Sequence, residues 1–219
     1  MKNSRSEKMW DYIIVGGGSA GCVLANRLSA NPKNHVLLLD AGVSNRSPSL
    51  HIPAGMMSAI ENDKFNWKYP ALPDHSRNGQ IDLWSAGKAI GGGSAINGMF
   101  YIRGHRSDYD KWAKAGCVGW DYNSVLPYFK SLETYEAGAD EYRGVQGPQS
   151  VGLSRHRLPL IDKFVEAAIA CGHKFNEDYN GEHQTGVGYA QGSQKAGRRH
   201  SSASAFPVSY THLTLPTKA

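Results

Sequence analysis

Three glycines near the start of the chain have a spacing that suits binding of a phosphate group. Gly16, Gly18 and Gly21 form a GxGxxG pattern between an apolar segment, 11–15, and a segment with a helical apolar face, 22–28. Gly16 would allow a tight turn, Gly18 a close approach of the backbone to a pyrophosphate, and Gly21 close packing of helix on strand. The N–H groups at the start of the helix would then face the phosphates.

A second apolar segment, 35–40, ends in an acidic residue, Asp40. With the first strand and the helix it predicts one β-α-β unit of about 30 residues, with 11–15 as a buried parallel strand. Asp40 would accept hydrogen bonds from the ribose hydroxyls of an adenosine, and its charge would repel the 2′-phosphate of NADP. The pattern therefore predicts a dinucleotide, with FAD and NAD both still open.

A second glycine cluster occupies residues 87–97 (GKAIGGGSAIN) and continues through Tyr101, Gly104 and Asp110. It resembles the first signature of the glucose–methanol–choline (GMC) oxidoreductases. Segments 11–42, 65–70, 101–105, 119–120, 126–129 and 197–199 are also similar to that family. The resemblance covers residues 9 to about 206, is nearest to the bacterial choline-dehydrogenase-like branch, and implies FAD as the cofactor.

The resemblance implies contacts with the pyrophosphate, the ribose and the isoalloxazine of FAD. Small residues at 91–95 would let the backbone pass flat against the cofactor. The cofactor-binding residues implied are Gly16, Gly17, Gly18, Ser19, Ala20, Gly21, Asp40, Ala41, Lys88, Gly92, Asn97, Gly98, Met99 and Phe100.

Two positions depart from the pattern of the family. Some members attach FAD covalently through a histidine in this cluster, but the residue before Asn97 is Ile96. An alkyl side chain forms no such bond, so we expect non-covalent FAD. The family often has a second serine after Ser94, where this chain has Ala95, so one hydrogen bond would be missing.

The resemblance also implies an incomplete α/β fold. We expect a partial Rossmann-like FAD-binding domain over 9–206, preceded by a disordered segment, 1–8, and lacking most of the substrate-binding domain. Residues 207–219 resemble the translation of a transposase adapter used in sequencing libraries. Pro207 would also interrupt a helix that starts near Ser201. We therefore expect that tail to be non-native, and the coding DNA would show it.

The implied reaction is hydride transfer from a primary alcohol to FAD, with reoxidation by O₂ or an electron-transfer acceptor. The catalytic base of the family is a histidine near the C-terminus of the longer enzymes, so no catalytic residue is assigned in this chain. We expect seven of its nine histidines to lie on the surface or in loops: His51, His75, His105, His156, His173, His183 and His200. The alternatives are a non-catalytic nucleotide-binding module and an NAD-linked Rossmann dehydrogenase, which would not explain 87–110.

Composition excludes several other classes of protein. The net charge of +5 is spread among acids, with one dense basic run at 197–200, so nucleic-acid binding is not expected. Cys22, Cys117 and Cys171 form no metal-ligating or disulfide pattern and are expected to be buried apolar side chains. There is no signal-peptide pattern and no run of about 20 apolar residues. We expect a cytoplasmic protein, with attachment to the face of the inner membrane left open.

Segments of helical pattern are predicted near 107–115, 123–132 and 159–172. In the last of these an apolar face would hold Leu160, Phe164, Ala167, Ala168 and Cys171. Residues 43–90 are expected to be irregular, with a strand-like piece at 66–69. Residues 138–150 are expected to form a loop, followed over 186–206 by strand, loop and helix start.

Overall fold

The computed structural model describes residues 9–44, 46–154 and 157–206. The helices in these ranges are α1 (Ser19–Ser29), α2 (Met56–Glu61), α3 (Gly93–Ile96), α4 (Arg106–Lys114), α5 (Tyr122–Leu132), α6 (Pro159–Ala170) and α7 (Ser202–Ala205). The strands are β1 (Tyr12–Val15), β2 (Val36–Leu39), β3 (Tyr69–Pro70), β4 (Leu83–Trp84), β5 (Glu133–Tyr135), β6 (Gln149–Leu153), β7 (Gln191–Gly192), β8 (Gln194–Lys195) and β9 (Arg198–Arg199). The predicted disordered segment 1–8, His156 and the predicted non-native tail 207–219 lie outside the described residues.

The chain divides into two compact units. Of the described residues, the first unit contains those up to Gly98 together with 197–206, and the second contains those from Met99 to Ala196. The single partial FAD-binding domain expected over 9–206 stays a prediction.

The predicted β-α-β unit opens the first unit. Strands β1 and β2 are parallel, with Tyr12 opposite Val36 and Val15 opposite Leu39. Helix α1 packs on them, and the shared core holds Ile14, Ala25, Val36 and Leu38. A strand, a helix and a parallel strand in this order are the framework of a nucleotide-binding fold.

Strand β1 is less buried than predicted. Only Ile14 is buried, whereas Tyr12, Ile13 and Val15 are exposed. The expectation of a fully buried strand is wrong because β2 is the only strand beside β1 among the described residues. Helix α1 also begins at Ser19, three residues before the predicted segment, so the third glycine of the motif lies inside the helix.

Residues 43–90 are largely irregular, as predicted, but they build a second core. Helix α2 and two short 3₁₀ helices, Pro48–Leu50 and Pro53–Gly55, were not predicted. Strands β3 and β4 form a two-residue antiparallel pair beside the isolated bridge between Asn66 and Gly87. The core residues are Leu50, Ala59, Phe65, Ala89, Ala95 and Ile96.

In the second unit the predicted helices are confirmed. A capping box between the N-cap residue His105 and Asp108 lies at the first turn of α4. Asp121 is the N-cap residue of α5, and its side chain accepts a hydrogen bond from Ser124 N. The sheet has the order β5-β6-β7, with β5 parallel and β7 antiparallel to β6.

Helix α6 is confirmed, but its predicted apolar face is exposed in the described structure. Leu160 and Phe164 are 77% and 67% exposed, and only Val165 of this helix is buried.

The expectation of three buried cysteines is correct for Cys22 and wrong for Cys117 and Cys171. These two residues follow the C-terminal ends of helices α4 and α6, where side chains meet solvent.

No helix among the described residues has both the length and the apolar character needed to cross a bilayer.

Candidate functional site

The first glycine loop has the backbone geometry that its sequence predicts. Gly16 has a φ of +97°, a conformation that favours glycine, and its N–H donates to Leu39 O at 2.7 Å. A Cβ on Gly21 would lie 1.9 Å from Gly16 O, so only glycine allows the helix to pack this closely on the loop. A Cβ on Gly18 would meet nothing within 4 Å, which means that this backbone faces open space.

The N-terminus of α1 lies directly after this open backbone. Gly18 is the N-cap residue in an extended conformation, and no side chain of the described part of the chain caps the helix. The first N–H groups of an 11-residue helix, with their partial positive charge, are therefore available to an anion. Ser19 and Ala20 in this turn are exposed, as a phosphate-binding turn requires.

Asp40 holds the loops at the ends of β1 and β2 together. One oxygen of its carboxylate accepts a hydrogen bond from Gly17 N at 2.6 Å, and the other accepts from Gly42 N at 2.7 Å. A carboxylate has about four acceptor sites, so both oxygens keep the capacity for a further donor. Asp40 therefore shapes the loop, and its predicted contact with a ribose stays a prediction.

The second glycine cluster packs directly on the first. Gly91 N donates to Gly17 O at 2.7 Å. A Cβ on Gly92 would lie 2.8 Å from the Cα of Gly18, and one on Gly87 would lie 2.0 Å from Gly92 O. Two glycine-rich turns that are far apart in the sequence thus meet backbone to backbone, and side chains at these points would separate them.

A cavity of about 930 Å³ opens at this junction. A volume near the upper end of the usual range for ligand pockets suits an extended cofactor. The residues around it are Val15, Gly16, Gly18, Leu39, Asp40, Ala41, Gly42, Val43, Ser44, Trp67, Gly87, Ile90 and Gly92. Five of the predicted cofactor residues are among them, so the structure brings the core of the predicted site together.

The other predicted residues are placed as follows. The Lys88 ammonium lies 4.4 Å from the centroid of the Trp67 ring, and Asn97 Oδ1 accepts a hydrogen bond from Arg199. Gly98 is exposed at the end of the first unit. Met99, with a φ of +63°, and the exposed Phe100 belong to the second unit.

The two positions that depart from the family pattern are both buried. Ala95 and Ile96 lie in the apolar cluster with Leu50, Phe65 and Ala89. The alkyl side chain of Ile96 is therefore part of the core on which the second glycine turn packs.

Sequence reasoning missed one residue of this region. Arg199 belongs to the basic run 197–200, in which Arg198 is exposed, yet Arg199 is only 3% exposed. Its Nη1 donates to Ser94 O at 3.2 Å and to Asn97 Oδ1 at 2.7 Å. Burial lowers the pKa of Arg199. The only sequence signal was the match of 197–199 to the family, which does not distinguish a buried arginine from an exposed one.

The histidines are not gathered at this site. His75, His105, His173 and His183 are exposed, and His51 and His200 are partly buried. Among the residues that the structure describes, no group of three or more His, Cys, Asp or Glu side chains could hold a metal ion.

Comparison with known proteins identifies the family of the chain. The family model for GMC oxidoreductases matches residues 10–211. An alcohol dehydrogenase [acceptor] from Pseudomonas putida is 44% identical over 199 residues, which cover 90% of this chain and 36% of that protein. The mitochondrial choline dehydrogenase of Mus musculus is 40% identical and covers 90% of this chain and 34% of that protein.

Solved structures agree with this assignment. Pyridoxine 4-oxidase from Mesorbium loti superposes with a TM-score of 0.89 at 32% identity, over 94% of this chain and 42% of that one. A formate oxidase from Aspergillus oryzae, studied for the modification of its FAD, superposes with a TM-score of 0.84 at 25% identity. The match covers 94% of this chain and 38% of that one. The chain spans about a third of the length of these curated relatives. By its sequence match and its fold, the chain belongs to the GMC oxidoreductase family.

Proposed function

We propose that this chain is the FAD-binding part of a flavin-dependent oxidoreductase that acts on the CH–OH group of a primary alcohol. One observation carries the proposal. The GxGxxG loop and the second glycine turn meet at an open cavity of about 930 Å³, next to the uncapped start of α1. The chain shares 40–44% identity with alcohol and choline dehydrogenases.

The donor set at the cavity fits a dinucleotide. The first-turn N–H groups of α1, after Gly18, would hold the diphosphate, and Asp40 would accept from the ribose hydroxyls. Gly92 and Asn97 would line the path toward the isoalloxazine. Bound FAD supplies the hydride acceptor, while the residues of this chain bind and orient the cofactor.

The substrate and the final electron acceptor are inferred from the names of relatives. Two of the relatives are a choline dehydrogenase and an alcohol dehydrogenase with an unspecified acceptor, and a relative from Sinorhizobium fredii is described as oxygen-dependent. We propose a small primary alcohol as substrate, and O₂ or an electron-transfer partner as acceptor. The catalytic base is not assigned to any residue of this chain.

We also propose that FAD binds without a covalent bond. By the resemblance to the family, Ile96 stands where some members have the linking histidine. Its side chain is packed in the core. Acid precipitation of the FAD-loaded protein should release all of the flavin into the supernatant. Flavin that stays with the precipitated chain would refute this part of the proposal.

The central experiment titrates FAD and NAD⁺ separately into the purified protein, followed by flavin fluorescence and by calorimetry. We expect binding of FAD and none of NAD⁺; the reverse result would favour an NAD-linked dehydrogenase. A protein of the full length of the relatives, encoded at the same locus, is then loaded with FAD and mixed with choline or benzyl alcohol without oxygen. Bleaching of the flavin absorbance supports the proposed reaction. Tight FAD binding with no bleaching by any primary alcohol would favour a non-catalytic module.

A further inference from the structure

Arg199 is a buried cation for which the described residues provide no carboxylate. It is 3% exposed, and its Nε and Nη2 atoms have no hydrogen-bond partner among those residues. Its Nη1 donates only to neutral oxygens, Ser94 O and Asn97 Oδ1. Burial lowers the pKa of Arg199, and no nearby acid in the described structure offsets that effect.

Two other buried arginines, Arg103 and Arg143 in the second unit, form ion pairs with carboxylates. Arg103 Nη2 lies 2.7 Å from Glu133 Oε1, and Arg143 Nε lies 2.9 Å from the same oxygen. Arg143 Nη1 also lies 2.7 Å from Asp178 Oδ1. Two buried cations are therefore balanced by two carboxylates, whereas Arg199 has none.

A guanidinium stays protonated in proteins, so burial does not remove its charge. Burying an unpaired charge is strongly unfavourable unless an anion or a set of dipoles compensates for it. The two carbonyl dipoles at Nη1 compensate in part. A positive charge with free donors thus remains beside the second glycine turn.

Hydrogen bonds connect Arg199 to the first glycine loop. Both Arg199 and Ser202 donate hydrogen bonds to Ser94. Arg199 Nη1 donates to Ser94 O, and Ser202 N donates to Ser94 Oγ at 3.0 Å. Ser94 Oγ then donates to Gly91 O at 2.6 Å, and Gly91 N donates to Gly17 O at 2.7 Å. From either Arg199 or Ser202, three successive hydrogen bonds lead through Ser94 and Gly91 to Gly17. The position of the GxGxxG loop therefore depends on the segment 199–202.

We propose that Arg199 is a positioning residue of the cofactor site, whose buried positive charge strengthens binding of the dinucleotide diphosphate. It fixes the turn 91–97 through Ser94 and Asn97. Its positive charge would compensate the negative charge of the diphosphate that is proposed to bind beside this turn. The inference rests on the proposed binding of FAD. It assigns no contact between Arg199 and the reacting atoms.

The test compares Arg199→Met, Arg199→Lys and the control Arg198→Met, a substitution of the exposed neighbour. Dissociation constants are measured for FAD and, by competition against it, for ADP and for adenosine, which lacks the phosphates. We expect Arg199→Met to raise the dissociation constants of FAD and ADP at least about tenfold, and that of adenosine less than about twofold. Arg199→Lys should recover most of the ADP-to-adenosine ratio, and Arg198→Met should leave every constant unchanged.

Melting of the cofactor-free variants separates loss of fold from loss of charge. If Arg199→Met does not fold, Arg199→Lys alone tests the proposal. A ratio of its dissociation constants for ADP and adenosine equal to the wild-type ratio supports the proposal. Equal weakening of ADP and adenosine would mean a purely structural role and would overturn it. If wild type binds FAD and Arg199→Met binds it equally well, this inference alone fails. If wild type binds neither FAD nor ADP, the proposed function fails as well.

Discussion

At the scale of single residues, Asp40 uses its two oxygens for two different backbone donors. Because Gly17 N and Gly42 N each bind a separate oxygen, Asp40→Asn can satisfy only one of them. We expect a loss of about 1–3 kcal/mol in the free energy of unfolding, measured by urea denaturation. Asp11→Asn is the control, since exposed Asp11 accepts one backbone hydrogen bond, which asparagine also accepts. Equal effects of the two substitutions would contradict this role of Asp40.

Two glycines of the first loop allow the effect on stability and the effect on FAD binding to be tested separately. In Gly21→Ala the new Cβ would overlap Gly16 O, so we expect destabilisation of about 3 kcal/mol or more. Gly18→Ala meets no atom within 4 Å, so its unfolding free energy should change by less than about 1 kcal/mol. Its dissociation constant for FAD should nevertheless rise at least about tenfold, because the methyl group occupies the approach of the pyrophosphate. Unchanged FAD affinity in Gly18→Ala would refute the proposed orientation.

Spacing alone predicted the residues whose role depends on the backbone. Gly16 and Gly21 could be assigned because the positive φ of the turn and the close packing of helix on loop both favour a residue without a Cβ. The approach of a pyrophosphate at Gly18 stays a prediction. Burial of side chains was harder to predict. Cys117 was predicted to be buried and is exposed, and no sequence pattern indicated that Arg199 is buried. Exposure depends on contacts with distant segments, which a local pattern does not contain.

At the scale of elements, strand β5 carries the buried charge network of the second unit. Glu133 is fully buried between Arg103 and Arg143, and Tyr101 lies near these charges. Burial, followed by the charge of Glu133, raises the pKa of Tyr101 to about 12, and burial raises that of Tyr135 to about 12. The folded state thus keeps both phenols protonated above the pKa of 10 of a free tyrosine.

This arrangement predicts sensitivity to alkali. A raised pKa of an acid gives stability that is complete below pH 10 and is lost as the pH rises toward about 12. For Tyr101 the loss is about 2–3 kcal/mol. Urea midpoints measured across this interval should fall less steeply in Tyr101→Phe than in wild type. Tyr128→Phe, which changes an exposed tyrosine, should keep the wild-type slope, and identical slopes for all three proteins would contradict the assignment.

The sequence predicted helices better than it predicted their surroundings. Helices α1, α4, α5 and α6 have long periodic patterns, and each was found within a few residues of its predicted range. Helix α2 was missed because its six residues are too short for a periodic signal. Its formation depends on packing of Ala59 against Leu50 and Phe65, which are brought together only by the tertiary fold.

At the scale of the whole molecule, large apolar side chains remain exposed on both units. Leu72, Trp84, Val118, Leu160 and Phe164 are all more than half exposed. On α6, Leu160 and Phe164 are four residues apart and therefore adjacent on one helix face. Contiguous apolar surface of this kind promotes association. We therefore expect the 219-residue chain to bind a hydrophobic dye and to elute in size-exclusion chromatography with light scattering as a mixture of oligomers.

A double substitution on α6 tests this expectation. Leu160→Lys with Phe164→Glu should increase the monomer fraction and leave the circular dichroism spectrum unchanged, because both side chains are solvent-exposed. Glu166→Gln on the same helix is the control and should not change the distribution of species. A monomeric wild-type chain that binds no dye would contradict the prediction.

The contacts between the two glycine turns and the segment near Ser202 also determine when the site can form during synthesis. The hydrogen bond from Ser202 to Ser94 joins residues 108 positions apart. At about 5–20 residues per second, the ribosome needs roughly 5–20 seconds to add the residues between them. Throughout that interval the nascent chain lacks the segment that holds the second glycine turn, and through it the GxGxxG loop, in place. We therefore expect the proposed binding of FAD to begin only after the segment that contains Arg199 and Ser202 has left the ribosome.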